Sequence, residues 1–234
     1  MNNHHLSQGE GLREEHDLQG QVSALCPVSS GASSFPIKLT NSSRRYGNKW
    51  ALRDISLTIE PGIFGLLGRN GAGKTTLLSI LATLLKPTSG TVTIGPYDSH
   101  RQRWQIRSLL GFLPQKQGFY PQLTVRETLR YMAELQGLTR ISASVDEALE
   151  AVHLVDRART RVRSLSGGMR RRLGLAVALL GQPKALIIDE PTTGLDPVEQ
   201  QRFRMLLGTL GAQRGRLSSF QHTLSVMSQL VPTS

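Results

Sequence analysis

The chain has 234 residues, 38% of them hydrophobic, and its 28 Lys+Arg against 17 Asp+Glu give a formal net charge of +11. That length fits one α/β domain, or one domain with a sizeable insertion. A lone cysteine, Cys26, excludes an intrachain disulfide and suits a reducing compartment. The longest apolar run, Leu173 to Leu180, is too short to span a bilayer and is broken by Gly174. The first twenty residues lack the basic start and apolar stretch of a secretory signal. The basic balance fits nucleic acid, an anionic membrane surface, a nucleotide, or simply a solvated surface.

Residues 1–36 are polar and rich in Ser, Gly, Gln and Asn, so a disordered leader is expected there, with His4 and His5 incidental. From Ile37 the pattern becomes that of a folded domain. Trp50 to Glu60 sets Leu52, Ile55, Leu57 and Ile59 among polar residues and predicts a strand. Pro61-Gly62 predicts a turn, and Ile63 to Gly68 a buried central strand. Lys74 to Leu85 predicts a helix stopped by Pro87 and Gly90, and Thr91 to Gly95 another strand.

The middle of the chain, about residues 100 to 165, predicts an inserted helical subdomain, with Thr124 and Ser144 as N-caps. Gly167 to Pro183 predicts a further helix, closed by Gly181 and Pro183. Ala185 to Asp189 predicts a buried strand. Pro197 opens a last helix, expected to end at Gly208 or Gly211. Strands separated by helices predict a mainly parallel sheet.

Two stretches carry chemistry. "GRNGAGKTT", Gly68 to Thr76, follows a buried strand and precedes a helix. Gly68, Arg69, Asn70, Gly71, Ala72 and Gly73 can bend so that backbone N–H groups converge on a phosphate, helped by the positive end of the helix. Lys74 can reach the β/γ-phosphates, Thr75 can ligate Mg²⁺, and Thr76 extends the cradle. "ALIIDE" ends a buried strand in two carboxylates at the ligand-binding edge of a parallel sheet. Asp189 is placed to support Mg²⁺, and Glu190 to deprotonate an attacking water.

Together these resemble the ATP-binding subunit of ATP-binding cassette (ABC) transporters, most like bacterial exporter-type members. "SLSGGMRRRLG" is similar to the family signature, with Met169 in place of Gln; "PTTGLDP" resembles the D-loop around Asp196; "FLPQ" puts Gln115 at the Q-loop position; and Tyr46 stands where an aromatic residue stacks on adenine. Arg69 stands where the family commonly has Pro. The resemblance covers about residues 37 to 213.

It implies a P-loop NTPase: a mainly parallel α/β core with an inserted helical subdomain and an antiparallel β edge. It also implies ATP and Mg²⁺ as ligands, with Gln115 sensing the metal or water beside Glu190. A head-to-tail dimer with a second ATP-binding subunit follows, in which Ser166, Gly167 and Gly168 meet the partner's γ-phosphate. A membrane-spanning transporter subunit completes the assembly, with this chain cytoplasmic and peripheral on the inner face of the membrane. The bare residues also allow plainer roles: Ser-Gly-Gly is a good helix N-cap, and Tyr46 fits a surface tyrosine. A soluble cassette acting on nucleic acid is the alternative that the charge allows; salt-sensitive affinity for DNA or RNA would reveal it.

Residues 214–234 break the pattern. The resemblance calls for an apolar strand near Gly215 to Phe220, then Ser-Thr-His, but the sequence there is "GRLSSF". Read from the last base of each codon, Phe220 to Ser228 can spell Ser-Thr-His-Ile-Val-Ser-Asp-Val. The expectation is a one-base frame shift between Gly211 and Arg216, the C-terminal part of the core missing, and His222 no true switch histidine. Such a chain binds nucleotide weakly and does not turn over. The rival is a genuine divergent ending, in which His222 returns as a γ-phosphate ligand.

Overall fold

A computed structural model describes residues 36–60, 62–66, 71–216 and 222–225. In chain order the elements are β1 (Ile37–Tyr46), β2 (Lys49–Ile59), β3 (Gly62–Gly65), α1 (Lys74–Leu81), β4 (Ser89–Ile94), β5 (Tyr97–Asp98), α2 (Arg103–Leu109), β6 (Leu110–Leu113), α3 (Val125–Leu135), α4 (Ile141–Ala151), α5 (Gly167–Leu179), β7 (Ala185–Ile188), α6 (Pro197–Arg216) and β8 (His222–Ser225). Two sheets result: an antiparallel one in the order β2-β1-β4-β5, and a parallel one in the order β3-β8-β7-β6. This is the expected parallel core with an antiparallel edge.

The β1–β2 pair is kinked by a matched irregularity. Asn41 and Asp54 both take left-handed backbone angles, φ 48° and 51°, and the Asn41 amide donates to Asp54 Oδ1 at 2.8 Å. The register shifts there. A bulge of this kind changes which residue faces the core. It explains why the apolar residues of β2 step by three from Leu52 to Ile55 before alternating.

β7 is the centre of the parallel sheet, and all four of its residues are buried. Its side chains alternate between two apolar clusters. Leu186 and Ile188 join a cluster built from α3, α4, α5 and Phe203 of α6. Ile187 joins the other, which fills the space between the antiparallel sheet and α1. α3 begins with a complete capping box: Thr124 accepts from the Glu127 amide, and the Glu127 carboxylate accepts from the Thr124 amide.

Several expectations need correction. The helical insertion begins later than residue 100, because β6 belongs to the core sheet and pairs in parallel with β7 from Leu110 to Leu113. Its four residues, LGFL, are too few to show a period. Ser144 lies inside α4, whose first turn starts at Ile141. α1 ends at Leu81 rather than Leu85, with Thr83 left-handed at φ 58°. α6 runs through both Gly208 and Gly211 to Arg216, and so into the segment near residue 215 where a strand was expected.

The slot between β3 and β7 is not empty. His222–Ser225 fills it, pairing in parallel with Gly62–Gly65 on one side and Ala185–Ile188 on the other. The physical reason is that ladder bonds come from the main chain. A short segment able to extend, such as "HTLS", satisfies both neighbours whatever its side chains. Residues 1–35 and 226–234 lie outside the described residues, and the leader reading with them.

α5 crosses β6 closely. A Cβ on Gly111 would lie 2.0 Å from the Ala178 carbonyl oxygen. Gly111→Ala is therefore expected to push α5 off β6 and lower stability by about 1–3 kcal/mol in urea unfolding.

Candidate nucleotide site

At the carboxyl end of the parallel sheet lies an open cleft of about 840 Å³, lined by Tyr46, Gly71, Gly73, Lys74, Thr75, Thr76, Gln115 and Glu190, with Thr192 to Gly194 along one side. Gly68, Arg69 and Asn70 lie outside the described residues. Gly71 and Gly73 are left-handed, at φ 85° and 84°. Gly73 has no room for a side chain, since a Cβ would sit 2.3 Å from the Ala51 carbonyl oxygen. The turn then enters α1, and Ala72 is half-buried beneath it. Lys74 opens the helix and is 8% exposed.

Thr75 faces the acidic pair. Its Oγ1 donates to Asp189 Oδ1 over a long 3.4 Å. Asp189 is 2% exposed, and burial raises its carboxyl above the usual carboxylate range, against the Thr75 hydrogen bond. Glu190 points into the cleft, where its Oε2 accepts from Gln115 Nε2 at 2.6 Å and from Thr193 Oγ1 at 2.8 Å. Its backbone is left-handed, φ 47°, a conformation that strains a residue of this size. Tyr46 is 46% exposed on the cleft rim, with the Arg44 guanidinium 4.7 Å from its ring centroid. A cation on that ring adds an attraction of its own.

The signature residues stand apart from this cleft. Ser166 caps α5, accepting from the Met169 amide at 3.2 Å, so the plain N-cap role is realised. Gly167 is exposed and Gly168 buried; a Cβ on Gly168 would meet Glu199 Oε2 at 2.2 Å. Glu199 itself pairs with Arg202 at 2.7 Å and Arg172 at 3.5 Å. Asp196 is exposed and caps α6 through the Glu199 amide. His222 is at the far end of the sheet: its register partners are Gly62 and Ala185, whereas Asp189 follows the opposite end of β7.

Sequence reasoning misses one residue of the site altogether. Arg171, one turn into α5, is 5% exposed and reaches under the acidic pair. Burial lowers its guanidinium to about 10, with Asp189 and Glu190 pulling the other way, so it stays charged at neutral pH. A signal exists: Arg171 shares a helical face with Gly168, Leu175 and Ala178, all buried. Inside "MRRR" it passes for one more solvated arginine.

The matched family model is that of the ABC transporter, over residues 52–193. The chain belongs to the ABC transporter family. Among its relatives, the bacitracin transport ATP-binding protein BcrA of Bacillus licheniformis is 39% identical over 197 residues, 83% of this chain and 64% of BcrA. The ABC transporter ATP-binding protein NatA of Bacillus subtilis (strain 168) is 36% identical over 202 residues, 83% of this chain and 82% of NatA. The chain thus spans just under two thirds of BcrA's length. A solved dimer of the ATP-binding cassette MJ0796, in a post-hydrolysis state with ADP and Pi, superposes with a TM-score of 0.70 at 26% identity, covering 82% of this chain and 88% of that one.

The cassette's buried Asp189 gives a test of these electrostatics. The fold disfavours its ionised form, so a neutral isostere should suit the ligand-free fold better. Asp189→Asn is expected to raise the ligand-free melting temperature by about 2–4 °C, equivalent to about 1 kcal/mol, in a thermal scan.

Proposed function

We propose that this chain is an ATP-binding and ATP-hydrolysing subunit that powers transport through a separate membrane-spanning partner. The observation that carries this reading is one cleft in which Lys74 and Thr75 face Asp189 and Glu190, with Gln115 on the Glu190 carboxylate. Lys74 and the turn before it bind the β/γ-phosphates. Tyr46, at the rim, stacks on adenine with its ring already held by Arg44. Glu190 takes a proton from the water that attacks the γ-phosphorus, and ADP leaves. Gln115 and Thr193 first orient that carboxylate; the water replaces one of their hydrogen bonds.

The donor set suits Mg²⁺: a hydroxyl on Thr75 and a carboxylate on Asp189, with Gln115 nearby and the remaining positions left to phosphate oxygens and water. Held by Thr75 and Asp189, such a cation would supply positive charge to offset the negative charge that develops on the phosphates. The raised Asp189 carboxyl fits this role, since a cation restores the ionised form.

Ser166, Gly167, Gly168 and Asp196 do not line the cleft. That supports a head-to-tail dimer in which they serve the partner's nucleotide; the MJ0796 cassette, for its part, is a dimer bound to ADP and Pi. Among the described residues no helix is long and apolar enough to cross a membrane. The likeness to transport ATP-binding proteins such as BcrA and NatA supports coupling to transport through a membrane-spanning subunit, with this one on the cytoplasmic face. No nucleic-acid partner is part of this reading.

Glu190→Gln is expected to lower ATP turnover about 10²–10³-fold while leaving ATP binding within about twofold, because the carboxylate acts on the water rather than on the bound nucleotide. A phosphate-release assay beside equilibrium nucleotide binding checks it; equal loss of both would overturn the assignment. The register of β8 generates a second expectation. His222→Ala should leave turnover within about twofold, the result for a residue at the wrong end of the sheet. A loss of about tenfold or more would restore His222 as a γ-phosphate ligand.

A further inference from the structure

The Arg171 guanidinium spends its whole donor fork on main-chain carbonyls. Nε donates to Pro191 O at 3.1 Å. Nη1 donates to Pro114 O at 2.6 Å and Gln115 O at 3.0 Å. Nη2 donates to Asp189 O at 2.7 Å and Glu190 O at 2.8 Å. An arginine has five N–H groups in a fixed plane, and each here has an acceptor. Gln117, with its amide turned to face the Arg170 carbonyl, adds an acceptor to Nη1 at 3.1 Å and itself donates to Arg170 O at 3.0 Å.

These acceptors belong to two separate loops. Pro114 and Gln115 leave the end of β6; Asp189, Glu190 and Pro191 leave the end of β7. Neither Gln115 nor Glu190 is fixed by burial. Glu190 also holds a strained left-handed backbone, which persists only where its surroundings over-determine it. The bond from Nη2 to the Glu190 carbonyl, flanked by those to Asp189 and Pro191, supplies that restraint. A buried charge fully satisfied by rigid acceptors makes a stiff junction; one with missing partners would be destabilising.

We infer that Arg171 is a positioning residue of the ATPase reaction: it clamps the loops after β6 and β7 together, and so sets the Gln115–Glu190 contact and the strained backbone at Glu190. It touches neither nucleotide nor water and acts through those two side chains. Its part in the reaction rests on the ATPase reading; the clamp itself does not. α5 also opens with the signature, so the helix that meets the partner's nucleotide is the one that stiffens this chain's own site.

The test uses the full 234-residue chain as wild type, Arg171→Lys and Arg171→Met. Lysine keeps the charge but has three donors on one atom, so it cannot span both loops. Hydrogen–deuterium exchange should be about tenfold faster in Arg171→Lys across residues 115–117 and 189–193, with α3 and α4 unchanged. The kcat for ATP should fall by about tenfold or more while KM stays within about twofold. In the Glu190→Gln background the lysine variant should cause no further loss, because both act through one carboxylate. Arg171→Met should follow the same pattern more severely; if it fails to fold, the lysine variant decides alone. Unchanged exchange in either loop, acceleration spread through the whole chain, or a KM that rises in step with the loss of kcat would overturn the proposal. A wild-type chain without turnover would count against the ATPase reading, and exchange would still decide the clamp.

Discussion

The molecule depends on four residues, Ala185 to Ile188, that have no exposed face. Their main chain is bonded on one edge to β6 and on the other to β8, and their side chains serve two apolar clusters at once. A strand so enclosed cannot shift register without moving its whole apolar set to the wrong sides. The two residues that follow it are Asp189, whose amide still bonds the Leu113 carbonyl at 2.9 Å, and Glu190. Their carboxylates therefore emerge at a fixed height on the sheet edge, one beneath Thr75 and the other beneath Gln115. The chemistry is placed by a ladder of backbone hydrogen bonds rather than by the charged groups themselves.

That arrangement divides the work between two kinds of interaction. Apolar burial sets where β7 and α5 lie, without direction and over large areas. Directed hydrogen bonds then set angles within the cleft, where a small displacement matters most. Arg171 belongs to the second kind but sits where the first operates, on the buried face of α5. Its charge is tolerated because the ends of two strands present carbonyl oxygens that lack sheet partners. Burying the arginine and satisfying the loop ends are one solution to two problems.

The parts most legible in the sequence are those where geometry permits few residue types. Gly71 and Gly73 are demanded by left-handed backbone, and Gly73 also by the Ala51 carbonyl above it. The acidic pair is legible because carboxylates at the end of an apolar run have one natural place in a parallel sheet. Thr124 is legible as a cap because Glu127 completes its box; Ser144, without such a partner, is not a cap. The illegible parts rest on contacts between distant segments. The Asn41–Asp54 bulge pairs residues on two strands, and nothing local marks either one. β8 is filled by backbone need, so its side chains carry no warning. Arg171 looks like its neighbours because its five acceptors come from two loops elsewhere in the chain.

Gly168 illustrates how far a single position can be shared. The carboxylate of Glu199 occupies the space where its side chain would be, and that carboxylate is tied in turn to Arg172 and Arg202. A side chain at this position would have to push the end of the Glu199 side chain aside. An inherited or engineered change there acts twice, displacing an ion-pair cluster that joins α5 to α6 and reshaping the first turn of α5. A phenotype at this position reports on both events together, and only a compensating change at Glu199 separates them.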